Sequence, residues 1–388
     1  MAKRVYVDNS ATTPVSAAAL KAMLPYFTGA FGNPSAAYSY GQEAKKALEE
    51  SRRVIARALG AKNNEIFFTS GGTEADNWAI RGACKLNEKK GRHIVSTLIE
   101  HSAVLRTLEI MKEQGWEVTL LKPDPLGRIS PEQLRGALRE DTVLVSIMAA
   151  NNVVGTLLPI PELCAEAHRG KALFHTDAVQ AVGHIPLAVR DTGVDLLSLS
   201  AHKFRGPKGI GALFARLPLI MPPLITGGGQ EKGRRSGTEN VSAIVGMAAA
   251  LEETLQNLEE HTRRISALRD RLIAEVVKIP GAYLTGDPGK RLPGLASFVF
   301  ENLEGQDLVM ALDRRGICAS SGSACSTGSI DAPHVLLAMG YTPDRARGAL
   351  RFSLGPDNTE TDVETILAIL PGAVEQVRAK NRLNRGSG

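Results

Sequence analysis

The sequence predicts an α/β protein, with a large domain on a mostly parallel seven-stranded sheet and a smaller α+β domain after it. Three observations carry that expectation. Short apolar or β-branched runs alternate with helical patterns through the first two thirds of the chain, the rhythm of a parallel sheet covered on both faces. Near residue 240 the texture changes to one long helical stretch. The 388 residues exceed what one small core organises, so about two domains are expected.

Strands are expected in order at EIFFTS (65–70), RHIVSTL (92–98), WEVTLL (116–121), TVLVSIM (142–148), ALFHTD (172–177), VDLLSLS (194–200) and GALFAR (211–216). Helical patterns lie between most of them. In QEAKKALEESRRVIARAL, for example, Ala44, Leu48, Ile55 and Leu59 line one face. The stretch from 242 to 279 reads as one long helical segment with few breakers, running from the large domain into the small one. Beyond it, strands are expected at 296–300 and 349–354 and helices at 305–315 and 360–380. The expected division is 15–257 for the large domain and 1–14 with 258–388 for the small one. The latter includes the loop SSGSACSTGS (320–329), a candidate mobile segment. No internal repeat or low-complexity segment interrupts this order.

Hydrophobic residues at 43% and charged ones at 22% describe an ordinary soluble globular protein. The net charge of +5 includes Arg378, Lys380, Arg382 and Arg385 near the end, and without those four it is +1 (5 − 4). The basic balance therefore reads as a solvated, frayed C-terminus, with no direct nucleic-acid or membrane partner. Cys84, Cys164, Cys318 and Cys325 show no paired metal-ligand spacing, so neither a metal site nor a disulfide framework is expected. The N-terminus lacks an apolar stretch long enough for a signal peptide. The longest uncharged run, 142–161, is interrupted by Asn151 and Asn152 and ends in prolines. A cytoplasmic, reducing location is the expectation.

The chemistry starts from Lys203, just after VDLLSLS, and Asp177, at the end of ALFHTDA. Both belong at the carboxyl ends of strands, where ligands bind in such sheets. A partly desolvated amine becomes a nucleophile toward carbonyls, and a carboxylate there needs a cation to stay ionised. Pyridoxal phosphate meets both needs, with an aldehyde for the lysine and a pyridine nitrogen for the aspartate. Each residue alone also reads as an ordinary surface charge.

Gly71-Gly72-Thr73-Glu74 follows a strand and opens a helix, an arrangement whose free N–H groups and dipole suit an anion, or a plain helix cap. Ser200, His202 and Thr238 are further phosphate donors, and Arg234 and Arg235 are either added charge or a solvated turn. Asn152 and Gln180 sit after strands as candidate partners of a phenolic oxygen, or as turn formers. His101 is a candidate to stack on a pyridine face and pass protons, or a buried structural histidine. Arg351, inside an apolar run, needs a partner, and the carboxylate of an amino-acid substrate fits that need. Cys325 lies among small residues and reads as a movable thiol. Cys318 reads as a buried small hydrophobe, and Cys84 and Cys164 as core positions on helices.

Taken together, NSATTP (9–14), GNPS (32–35), FTSGGTEADN (68–77), EHSAV (100–104), NNVVG (151–155), DAVQ (177–180), SAHKFRGPKGIG (200–211), RRSGTEN (234–240), SSGSAC (320–325) and RFSLG (351–355) resemble the cysteine desulfurases. The match runs in order along nearly the whole chain. Its cysteine loop is similar to that of the NifS/IscS-like, long-loop branch of these class-V aminotransferase-like enzymes. The resemblance implies a PLP-dependent fold type I homodimer, aspartate-aminotransferase-like. It further implies that pyridoxal 5′-phosphate forms a Schiff base with Lys203, with Asp177 keeping the pyridine nitrogen protonated. Gly72, Thr73, Ser200 and His202 would bind the phosphate, joined by Thr238 from the other subunit. Asn152 and Gln180 would flank the phenolic oxygen, His101 would stack on the ring, and Arg351 with Asn33 would take the substrate carboxylate.

The implied reaction takes sulfur from L-cysteine as a persulfide on the Cys325 thiolate and leaves L-alanine. An iron–sulfur scaffold or another sulfur-acceptor protein would then receive the sulfur. Two positions depart from the family pattern, Tyr38 where a histidine is frequent and Val153 where an acidic residue is. Neither is assigned to bond making, and both bear on rate, substrate preference and partner choice. The competing readings are a selenocysteine lyase, an aminotransferase, or a sulfur-assembly scaffold without activity.

Overall fold

The structure is a computed structural model that describes residues 4–322 and 332–386, with side chains as far as Arg382. After a short first strand, β1 (Val5–Tyr6), come the seven strands of the main sheet. They are β2 (Ile66–Thr69), β3 (His93–Thr97), β4 (Glu117–Leu121), β5 (Thr142–Ser146), β6 (Leu173–Asp177), β7 (Leu196–Ser200) and β8 (Gly211–Ala215). Their order is β2-β8-β7-β6-β5-β3-β4, and β8 alone runs antiparallel to its neighbours. All seven expected strands are present, within two residues at each end. Helices on both faces explain why β2, β3, β5, β7 and β8 are buried at every position, whereas the edge strand β4 starts with an exposed Glu117.

The helix Ser39–Leu59 buries the predicted face, Ala44, Leu48, Ile55 and Leu59, each large apolar side chain contributing about 1.5–3 kcal/mol. It packs against the helix Val241–Gln256. The long segment after 240 is not one helix. It breaks at Asn257, whose backbone leaves the helical region (φ −109°, ψ 9°) and whose side-chain amide donates to the Glu253 carbonyl at 2.9 Å. The next helix, Leu258–Val276, sets out from that break.

A second core forms around β9 (Ala282–Leu284), β10 (Leu295–Phe300), β11 (Ile317–Cys318) and β12 (Ala349–Ser353). Three of these make an antiparallel sheet in the order β12-β10-β9, while β11 pairs in parallel with β1. This core gathers Val5 and Val7 with residues from Ile265 to Val377, so the start of the chain packs against its last third. The final helix runs from Glu360 to Gly386. The frayed basic tail expected from composition is therefore corrected. Arg378 donates to the Glu301 carbonyl at 3.0 Å and Lys380 pairs with Asp307 at 3.2 Å, tying the helix down. No helix among the described residues is long and apolar enough to cross a membrane.

Candidate active site

The strands β2 to β7 run in one direction and end on one rim of the sheet, and the chain segments leaving β2, β3, β5, β6 and β7 line a cleft of about 320 Å³. That volume lies at the lower end of small-molecule sites. After β2 the chain turns at Gly71, with φ 154°, a conformation open to glycine. A side chain on Gly72 would come within 2.6 Å of Val179, so the helix Gly72–Asn87 starts tight against the sheet and points its N-terminal N–H groups into the cleft. Thr73 and Ser200 line the same end.

His101 follows β3 and caps the helix Ser102–Glu113, its Nδ1 accepting from the Ala103 N–H at 3.2 Å. That bond leaves the proton of the neutral ring on Nε2. After β5 the paired asparagines divide their work. Asn151 is fully buried and its Oδ1 accepts from the N–H groups of Val153 and Val154, whereas Asn152 faces the cleft. Asp177 ends β6, buried, accepting from the Val179 N–H at 2.9 Å. Burial raises its pKa, and the nearby His101 and Lys203 act in the opposite sense. Gln180 donates to the Ser10 carbonyl at 3.0 Å.

Lys203 lies on the short turn after β7, and its Nζ donates to the carbonyls of Ser10 (2.6 Å) and Ala11 (2.8 Å). His202 meets Thr12 Oγ1 at 3.1 Å, and its pKa falls to about 4 through burial, with Lys203 and Lys208 adding repulsion. It is a neutral ring at physiological pH. The N-terminal segment thus forms one wall of the site. It is fixed from behind by β12, since the Asn9 amide donates to the Ser353 carbonyl at 2.8 Å and the Ser10 N–H donates to Ser353 Oγ at 2.8 Å.

Arg351 enters from β12, only 4% exposed. The protein itself provides this guanidinium with a first partner, beside which a substrate carboxylate would have to bind. Arg351 donates to Asp8 Oδ1 at 2.6 Å and to the Asn152 carbonyl at 2.7 Å, and its Nε is left buried without a partner. Sequence reading missed Asp8. Its signal is the alternation Val5, Tyr6, Val7, Asp8, in which the valines point to the second core.

Two further buried acids, Asp76 and Glu100, were also missed. Asp76 lies one helical turn beyond Gly72, on the buried face with Ala75 and Ala79, a spacing that could have found it. Glu100 accepts from Thr97 Oγ1 at 2.7 Å and the Met148 N–H at 3.1 Å, and burial lifts its pKa to about 8.

Not every expected residue meets the cleft within one chain. Thr238 and Asn33 are exposed and lie away from it. Arg235 is taken up by Glu74 (2.8 and 3.1 Å), and the Arg234 guanidinium lies 5.0 Å from the centre of the Phe67 ring, so neither adds charge to the cleft. Cys325 lies outside the described residues. Gly322, the last described residue before it, lines the cleft, and its hypothetical Cβ would stand 3.2 Å from Val153. Tyr38 is 65% exposed. Cys84 and Cys164 are buried as expected, whereas Cys318 is only half-buried, with its thiol 3.9 Å from Asp313.

The donor set fits pyridoxal phosphate. One end of the cleft has a helix N-terminus, two hydroxyls and a neutral imidazole for a phosphate, and the middle has an amine for an aldehyde. The floor has a carboxylate whose burial calls for a cation.

The model of the family "Aminotransferase class-V" matches residues 5–366. A protein of Methanosarcina thermophila named cysteine desulfurase IscS is 50% identical over 376 residues, which are 97% of this chain and 93% of the relative. Among solved structures, a NifS-like protein superposes with a TM-score of 0.91 at 39% identity, covering 96% of this chain and 100% of the other. SspA in complex with cysteine superposes with a TM-score of 0.81 at 34% identity, over 91% of this chain and 99% of the other.

Proposed function

The chain belongs to the class-V aminotransferases, among relatives named cysteine desulfurase, and from that premise we propose that it converts L-cysteine to L-alanine while Cys325 takes the sulfur as a persulfide. The observation that carries the reading is one cleft lined by Lys203, Asp177 and Arg351, an amine, a buried acid and a buried guanidinium. The family's cofactor, pyridoxal 5′-phosphate, supplies an aldehyde for an amine and a ring able to store the electrons of a departing α-proton.

This chain's residues divide the rest. Lys203 holds the cofactor and, once its amine is free, moves the α-proton, with the Ser10 and Ala11 carbonyls fixing where Nζ stands. Asp177 holds the proton of the ring nitrogen. The N–H groups at Gly72 and Thr73, with Ser200 and the neutral His202, hold the phosphate, and Thr238 of a second subunit completes that set. Asn152 and Gln180 would hold the phenolic oxygen, His101, with its proton on Nε2, would cover the ring, and Arg351 with Asn33 would take the substrate carboxylate.

Sulfur transfer balances without an outside oxidant. The substrate Cβ–S bond breaks, the sulfur joins the Cys325 thiolate as a persulfide, and protonation of the remaining carbon skeleton yields alanine. The persulfide then serves an iron–sulfur scaffold or another acceptor protein. A homodimer is part of this reading, supported by the exposed apolar residues Leu20, Leu24, Phe27, Phe31 and Tyr40 concentrated in one N-terminal stretch. So are a cytoplasmic location and a division into 15–257 and 1–14 with 258–388, the second part supported by the core that joins Val5 and Val7 to residues from Ile265 to Val377.

Incubation with L-cysteine, with alanine and sulfide measured, tests the reaction. Wild type forms alanine and gains one sulfur on Cys325 by mass spectrometry, and Cys325→Ser loses turnover by about 10²-fold or more. Full turnover in Cys325→Ser overturns the persulfide step. A colourless Lys203→Ala beside a yellow wild type is the expected result for the cofactor.

A further inference from the structure

Asp76 has no part in the roles assigned so far, yet it is 1% exposed and lines the cleft. One side-chain ligand atom each from Asp76, Asp177 and His101 lies within 4.8 Å of the others. Two ionised carboxylates that close, away from water, repel strongly, so which of them keeps its charge matters to the site.

The surroundings of the two acids are unequal. Asp177 accepts the Val179 N–H, and His101 and Lys203 beside it favour its ionised form. Asp76 faces Asp177 from β6, Glu100 from the turn after β3, His175 from β6 and Ser198 from β7. Ser198 hydrogen-bonds it, but Oδ1 has no partner. The nearest nitrogen, His175 Nε2, is 3.6 Å away and already engages Ser198 Oγ at 3.0 Å, while Nδ1 engages Ser146 Oγ at 2.8 Å. Burial holds the His175 pKa near 3, so that ring is neutral and offers Asp76 no charge. His101, at the start of the helix after β3, completes these surroundings with a ring whose Nδ1 accepts from the Ala103 N–H.

We propose that Asp76 is a positioning residue that keeps a proton beside Asp177, so that the pair carries a single negative charge and Asp177 presents it to the cleft. The inference rests on the reading of Asp177 as the partner of a protonated ring nitrogen. With one charge on the pair, a single cationic group balances the floor of the site. A second ionised carboxylate would leave the floor with excess negative charge and push the Asp177 carboxylate out of place.

The test uses full-length protein with its cofactor, comparing Asp76→Asn with wild type from pH 5 to pH 9 by visible absorption and by the midpoint of thermal unfolding. Asparagine imitates the neutral acid, so the bound-cofactor absorption keeps its wild-type position throughout. The gap between the midpoints is smallest at pH 5 and widens as pH rises, the variant lying above by about 3 °C or more at pH 9. The sign follows because wild type folds with a proton that its unfolded chain has released at that pH, which lowers its stability as pH rises. An absorption band that moves in the variant, or a variant less stable by the same amount at every pH, overturns the proposal. If Asp76→Asn does not fold, Asp177→Asn carries the same measurement. Its midpoint declines less with pH than that of wild type, and an unchanged decline overturns the proposal. A colourless wild type would defeat the cofactor reading alone, since the midpoint comparison needs no cofactor.

Discussion

Two buried acid sites flank the same sheet and are built in opposite ways. At the outer edge, Glu231 receives two bonds from Arg52, both 2.8 Å, and one from the Phe68 N–H at 3.1 Å. Arg52 also donates to the Ile66 carbonyl at 2.8 Å, so both partners are fully engaged. This pair covers the edge of β2 and fixes a segment where Glu231 and Lys232 hold φ of 47° and 61°, a conformation that costs side chains energy. At the cleft, Asp76 keeps one buried polar atom without a partner, as does Glu100, the neighbour of His101. The difference teaches how to separate structure from function in such a molecule. The fully matched pair holds the fold, and the incompletely matched acid that lines the cleft is a candidate for function. The pair Arg351–Asp8 lies between these extremes, with two of its guanidinium nitrogens engaged and one not.

The largest expected effect breaks the matched site. Glu231→Ala strands Arg52 in the core and should lower unfolding stability by about 3–5 kcal/mol in chemical denaturation, and a loss under about 1 kcal/mol would remove the pair's structural role. Glu100→Gln sharpens the contrast from the other side. Because burial lifts the Glu100 pKa to about 8, its contribution to stability is present below the unfolded value near 4.5 and is lost as pH rises toward 8. The variant should therefore gain on wild type by up to about 5 kcal/mol between those pH values and hold that gap above pH 8. A gap that is the same at pH 5 and pH 8 would contradict this. The smallest effect is expected at the intermediate pair. Asp8→Asn keeps an acceptor for Arg351 but removes a charge competing with the substrate carboxylate, so L-cysteine should bind about three- to tenfold tighter. Weaker binding would mean that the charge of Asp8 serves to aim the guanidinium.

Much of this was legible in the sequence where local pattern and tertiary position agree. The seven main strands are continuous apolar runs, and the residues following them, His101, Asn152, Asp177 and Lys203, fall at the rim because parallel strands share a direction. What escaped depends on partners far along the chain. The two-residue strands β1 and β11 exist because Val5 and Ile317 pair across more than 300 positions, which no local period encodes. The helix break at Asn257 hid within a strongly helical composition. Asp8 and Asp76 gain their places from partners far along the chain, Arg351 for one and Asp177 for the other.

The wall of the cleft made by Ser10 and Ala11 also sets an order in time. These residues emerge among the first from the ribosome, while Ser353, which holds them from behind, emerges among the last. The main sheet, complete by Ala215, can assemble while synthesis continues. The amine of Lys203 acquires its finished surroundings only when β12 arrives. A nascent chain stalled before residue 349 would therefore own its sheet and its lysine, yet lack the clasp that readies the site for use.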